Sequence, residues 1–148
     1  MHESMVYYLI KSLVLVGYLI FFTYEDIKEK KISNKALLFM LITGIVLVCV
    51  TLKKDVIISA VVCAAICGVL SYLASVASHW GVGIGDVFLL AITGLYIGDF
   101  SMAFVVFASL VVMFLFTMVA LIFRKITVKS QLPYVPFLLA GVIIGSII

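Results

Sequence analysis

This chain of 148 residues is 66% hydrophobic and only 11% charged, with a formal net charge of +3. Soluble domains usually contain about 45–50% apolar and about 25% charged residues. The composition therefore excludes a soluble globular protein and indicates one compact membrane domain, residues 1–148, in contact with the lipid bilayer. The sequence has no basic stripe interleaved with aromatic residues, so a nucleic-acid partner is not expected.

Six apolar segments follow one another along the chain, and each is a candidate for a membrane-spanning helix, which needs about 20 mainly apolar residues. They lie at residues 5–24, 36–52, 56–77, 86–99, 101–123 and 132–148. The first segment ends at Glu25 and Asp26 without a small-residue cleavage site, so we interpret it as a retained membrane helix. The sequence predicts an all-α membrane protein, a bundle of six transmembrane helices.

The basic residues indicate how these segments are oriented. The first, third and fifth loops together contain seven lysine and arginine residues, whereas the opposite side has three. The seven are Lys28, Lys30, Lys31, Lys35, Arg124, Lys125 and Lys129. The positive-inside rule then places the odd-numbered loops in the cytoplasm and both termini outside.

Two acidic residues border the predicted cytoplasmic loops, Asp26 at the end of the first segment and Asp86 at the start of the fourth. A carboxylate that enters a membrane segment is costly and rare, and it is a functional candidate by default. Asp86 lies 13 residues before Asp99, or about 20 Å of helix, which is short of the about 30 Å hydrocarbon layer. We therefore expect it to face a water-filled recess or a protein partner.

The segment before Asp86 contains Gly81, Gly83 and Gly85, which allow unusual backbone torsions and the close approach of a substrate backbone. Two carboxylates at one site share a proton, so one can activate a water molecule while the other donates a hydrogen bond to the scissile carbonyl. We interpret Asp86 as the base and Asp26 as its protonated partner.

Three segments, in order along the chain, resemble the signature segments of the type IV prepilin peptidases, which are intramembrane aspartyl proteases with a Gly-x-Gly-Asp loop. Residues 26–34 are similar to Asp-x5-Ile-Pro-Asn. Residues 83–90 resemble Gly-x-Gly-Asp-Val-Lys-Leu-Leu. Residues 132–138 are similar to Ile-Pro-Phe-x-Pro-Phe-Leu.

The resemblance implies that Asp26 and Asp86 are catalytic, without a metal ion or other cofactor. It gives substrate-binding or loop-shaping roles to Gly83, Gly85, Asn34, Pro133 and Pro136. The implied substrates are prepilin-like membrane proteins (pilins, pseudopilins, Flp-type pilins or archaellin-like precursors) with a short basic leader and an apolar helix beyond the cut. Cleavage would occur at the cytoplasmic face of a prokaryotic plasma membrane.

The chain departs from the family pattern at Ser33, where proline is usual, and at Phe88, where lysine is usual. It also contains no Cys-x-x-Cys pair, whereas longer members carry an extra cytoplasmic region with paired cysteines and methylate the new N-terminus. We therefore expect a short-form peptidase without N-methyltransferase activity.

Two other functions fit the same composition. A small proton- or ion-coupled transporter would use Asp86 as its titrating group and would depend little on Asp26. A non-catalytic pilus-assembly factor would need neither carboxylate.

Overall fold

The computed structural model describes residues 2–29, 32–50, 53–77, 83–123 and 132–147, which form six α-helices. The helices are α1 (His2–Glu29), α2 (Asn34–Val50), α3 (Lys54–Ala77), α4 (Ile84–Ile97), α5 (Ser101–Ile122) and α6 (Val135–Ile147). The all-α prediction is confirmed, and each predicted apolar segment overlaps one of these helices.

The helices differ in length, and this difference limits the prediction of six spans. Helices α1, α3 and α5 are long and apolar enough to cross a membrane, whereas α2, α4 and α6 are apolar but shorter, with 17, 14 and 13 residues. At about 1.5 Å per residue, 13 residues give only about 20 Å. The structure therefore supports six apolar helices, of which three have the length of a membrane span.

Two helix boundaries differ from the sequence prediction in ways that affect the acidic residues. Helix α1 continues to Glu29, so Asp26 lies inside its last turn instead of in a loop. Lys28 in that turn stabilises the helix, because its positive charge interacts favourably with the negative end of the helix dipole. Helix α6 begins at Val135 instead of residue 132, and Pro136 falls in its first turn, where a missing N–H is tolerated.

Helix α4 occupies the centre of the bundle, where it packs against α1, α2, α3 and α5. Leu89 and Thr93 are completely buried. The hydroxyl of Tyr96 donates a hydrogen bond to the Met40 carbonyl oxygen at 3.0 Å, which joins α4 to α2. Gly98 ends the helix with a φ of 72°, a left-handed conformation that favours glycine. This setting fixes Asp86 at the start of α4 and Asp99 just beyond its end.

Close packing between helices depends on glycine at two positions. A Cβ atom on Gly94 would lie 3.2 Å from the Ala64 Cα of α3, and a Cβ on Gly141 would lie 2.5 Å from the Val105 carbonyl oxygen of α5. Small residues of this kind let helix backbones approach within a membrane.

We predict that Gly141→Ala destabilises the bundle, because the added methyl group overlaps a backbone atom that cannot move without its helix. The free energy of unfolding in detergent should fall by about 1–3 kcal/mol, a usual cost of overpacking. Gly17→Ala is the matched control, since a Cβ there would meet nothing within 4 Å. Equal stability of the two variants would show that α5 and α6 are not packed as described.

Candidate active site

Asp86 is held by the first turn of α4. Gly83 precedes the helix with φ −64° and ψ 143°, and its carbonyl oxygen accepts a hydrogen bond from the Asp86 N–H at 3.0 Å. The N-terminal end of a helix favours a carboxylate there, as the sequence predicted. Gly83 has ordinary extended angles and Gly85 is helical, so neither uses the unusual torsions that glycine allows, and Gly81 lies outside the described residues.

The glycine at position 85 instead serves close packing. A Cβ atom on Gly85 would lie 3.3 Å from the Ile32 Cβ, tighter than ordinary contact, whereas one on Gly83 would be in ordinary contact with an Asp86 carboxylate oxygen at 3.4 Å. The chain that leaves α1 therefore passes directly against the start of α4. This approach brings the ends of both helices to one place.

Asp26 is buried, with 8% of its surface exposed, at the C-terminal end of α1. Its Oδ2 atom accepts a hydrogen bond from the backbone N–H of Val135 at 3.1 Å, and the N–H of Tyr134 also interacts with this carboxylate. Val135 is the first residue of α6. Asp26 thus satisfies backbone donors at the start of α6, as an N-cap side chain does, although it is 109 residues away in sequence.

The two carboxylates line one cavity of about 730 Å³. They are close enough to interact electrostatically. The other lining residues are Ile32, Ser33, Asn34, Lys35, Gly83 and Gly85. The structure therefore brings together Asp26, Asp86, Asn34 and the two glycines. Asp86 faces a cavity, as we expected for a carboxylate that lies within the thickness of the membrane.

The two prolines have a different position. Pro133 and Pro136 are half-buried and are not among the residues that line this cavity. They flank Tyr134 and Val135, whose N–H groups face Asp26. Their placement is compatible with the loop-shaping role expected for them, because proline restricts the backbone that presents these donors.

Residues 13–118, which include both aspartates, match the type IV leader peptidase family. The chain belongs to this family. It is accordingly a peptidase of the leader-peptidase type, and the family processes membrane-bound prepilin-like substrates. Searches of curated proteins and of solved structures found no match.

In this leader peptidase, Tyr134 is a site residue that sequence reasoning did not single out. Its hydroxyl shares a hydrogen bond of 3.0 Å with the Ser109 hydroxyl. Burial raises the pKa of the Tyr134 phenol, and the neighbouring Asp86 carboxylate raises it further. The phenol therefore stays neutral beside the carboxylates. The only sequence signal for it was its position between the two prolines.

The family departures have separate structural consequences. The backbone N–H of Ser33 donates a hydrogen bond to Glu25 Oε2 at 3.1 Å, which a proline could not do. This bond ties the segment that carries Ile32 to the last turn of α1. Phe88 is exposed on α4 and does not line the cavity, so the missing lysine leaves the lining unchanged.

We predict that the Glu25–Ser33 hydrogen bond supports activity by positioning this segment. Glu25→Ala should lower kcat/KM for precursor cleavage about tenfold, since a hydrogen bond to a charged group contributes about 1.5–3 kcal/mol. In a Ser33→Pro background the same change should have little effect, because the N–H donor is already gone.

A double-mutant cycle on kcat/KM measures this coupling, with Glu29→Ala as the control for loss of a nearby exposed acid. Additive losses from Glu25→Ala and Ser33→Pro would show that the two residues act independently.

Proposed function

We propose that this leader peptidase is an intramembrane aspartyl endopeptidase that removes the basic leader from prepilin-like precursors. The observation that carries the proposal is the convergence of Asp26 and Asp86, which lie 60 residues apart in sequence, on one cavity. Family membership favours proteolysis over the transporter and the assembly factor.

The proposed mechanism uses one proton shared by the two carboxyl groups, because two adjacent carboxylates do not both ionise readily. The charged member takes a proton from a water molecule, whose oxygen attacks the scissile carbonyl carbon. The protonated member donates its proton to the carbonyl oxygen. The tetrahedral intermediate then collapses with cleavage of the C–N bond. The leaving nitrogen takes the proton that the base removed from water, and a hydroxyl proton of the intermediate returns to the other carboxylate, which restores the shared proton.

The contacts of the two groups support a reversal of the roles inferred from sequence. The N–H of Val135 at the start of α6 stabilises negative charge on Asp26. We therefore assign Asp26 as the base and Asp86 as the protonated partner. The neutral Tyr134 phenol lies near Asp86 and could hydrogen-bond the same carbonyl oxygen.

We further propose that cleavage occurs at the cytoplasmic face of a prokaryotic plasma membrane. Lys28 and Lys35 lie at the same end of the bundle as the two aspartates, and the positive-inside rule favours a cytoplasmic location for that end. The remaining five basic residues of the topology prediction, Lys30, Lys31, Arg124, Lys125 and Lys129, lie outside the described residues.

The activity is proposed to end at cleavage, without methylation of the new N-terminus. Helix α1 ends at Glu29 and α2 begins at Asn34. The connection of residues 30–33 is too short to hold a paired-cysteine region at this point of the chain.

We predict that Asp26→Asn and Asp86→Asn each abolish cleavage of a type IV prepilin by the purified protein in liposomes. Loss of either member of a catalytic unit should lower kcat by about 10⁴-fold or more. Asp55→Asn, a change to an exposed acid in the first turn of α3, is the matched control and should retain full activity. Folding is checked by unfolding in detergent. An active single variant would rule out the two-aspartate mechanism, and absence of cleavage by the native chain would favour the transporter or the assembly factor.

We also predict a bell-shaped dependence of kcat/KM on pH, with the same pH on both sides of the membrane. Activity should fall towards acid pH because the base becomes protonated, and towards alkaline pH because the shared proton is lost. Reversibility after return to neutral pH serves as the control for unfolding. A rate that continued to rise into the alkaline range would contradict the shared proton.

A further inference from the structure

A second cavity, of about 930 Å³, lies on the other side of Asp86. It is a groove between α3 and α5. Its floor contains Asp86 and Leu90 of α4, and Gly98 just after the end of α4. Side chains of α3 and α5 that recur at helical spacing form the two walls, and these walls are almost entirely apolar. We call this cavity the α3–α5 groove.

The α3–α5 groove is as long as α4 itself. Its lining includes Asp86 and Tyr134 at one end, and Asp99 and Phe100 at the other. The 13 residues from Asp86 to Asp99 correspond to about 20 Å of helix. The groove therefore begins at a proposed catalytic carboxylate and extends away from it through the apolar part of the bundle.

The groove is open because the two walls pack against different partners. Helix α3 packs extensively on α4, and α5 packs extensively on α6, whereas α4 and α5 have only a small contact. Large apolar side chains on the walls are consequently exposed: 53% of the surface of Ile66 on α3 and 65% of that of Phe107 on α5. A further apolar helix packed between α3 and α5 would bury these side chains.

Asp86 lines both this groove and the polar cavity that contains Asp26. A peptide chain whose scissile bond lies at Asp86 would therefore have its two flanking parts in two chemically different places. A polar leader fits the cavity beside Asn34 and Lys35, and an apolar segment fits the groove. An apolar segment in the groove would satisfy its backbone groups by remaining helical, as a membrane interior requires.

We propose that the α3–α5 groove binds the apolar segment of the precursor that follows the scissile bond, as a helix packed between α3 and α5. This inference rests on the proposed function, and it adds where the substrate lies and which residues select it. The continuity of the groove with Asp86 favours a substrate segment over a lipid as the occupant of the groove. A lipid acyl chain is apolar and gains nothing from contact with a carboxylate, whereas a scissile bond must lie beside one.

The first test is a substitution that fills the far end of the groove. Ala103 lines the groove in the first turn of α5, near Asp99. With Ala103→Trp, kcat/KM for a full-length type IV prepilin should fall about tenfold, mainly through KM. The loss should be much smaller for a truncated peptide that ends about four residues, one helical turn, after the cut, because that peptide does not reach Ala103.

Ala65→Trp is the matched control, since Ala65 is an exposed alanine of α3 that does not line the groove. It should leave cleavage of both substrates unchanged. Equal losses of the Ala103→Trp variant on the two substrates, or no loss on either, would overturn the groove assignment.

The second test places a photoreactive residue at position 107, or at position 65 as the control, in the inactive Asp86→Asn variant. After irradiation in liposomes with the same prepilin, position 107 should form an adduct with the apolar segment and position 65 should not. Adducts at position 107 that contain only lipid, or only a second copy of this chain, would overturn the proposal. If the native chain cleaves prepilin but these results fail, the groove assignment alone is wrong. If the native chain cleaves no precursor, the proposed function itself fails.

Discussion

A buried carboxylate at the end of an apolar helix needs a hydrogen-bond donor. The arrangement of the site depends on the donor that Asp26 contacts. Its Oδ2 atom accepts the N–H of Val135, the first residue of α6. An unpaired buried charge costs several kcal/mol, whereas a charge that accepts backbone N–H groups also satisfies the open end of a helix. The contact therefore joins the first helix to the last and places a carboxylate inside the bundle.

The second carboxylate is placed by a different means. Asp86 lies in the first turn of α4, and α4 is fixed by packing against four other helices. Gly94 allows α3 to approach closely, and Gly85 allows the segment around Ile32 to pass against the helix start. Because these contacts surround α4, its N-terminal end can move little relative to α1. Asp86 therefore lies beside Asp26, with a polar cavity on one side and an apolar groove on the other.

Much of this arrangement could be predicted from the sequence, because hydropathy and charge act locally. Apolar runs located all six helices, and the cost of a carboxylate in lipid singled out Asp86. Helix ends were less predictable, since four of the five residues from Glu25 to Glu29 are charged yet continue α1. The sequence also counted α2, α4 and α6 as membrane spans on apolar composition alone, although the segments at 36–52 and 86–99 have only 17 and 14 residues.

The contacts that define the site could not be predicted, because they join residues distant in sequence through backbone atoms. No side-chain pattern indicates that the N–H of Val135 faces Asp26. The Ser33 N–H bond to Glu25 is similarly hidden, although the loss of a proline at position 33 was visible. The torsions of Gly83 could not be predicted either, because a glycine is compatible with ordinary angles as well as rare ones.

Cross-linking in native membranes tests most directly whether Asp26 and Asp86 meet in one cavity. Cysteine would be introduced by Asp26→Cys and Asp86→Cys in a chain whose Cys49, Cys63 and Cys67 are replaced by serine. A short bis-thiol reagent should link this pair rapidly, whereas the Asp26→Cys, Asp99→Cys pair, which places one thiol at the far end of α4, should not be linked. Equal or absent linking of the two pairs would contradict the account.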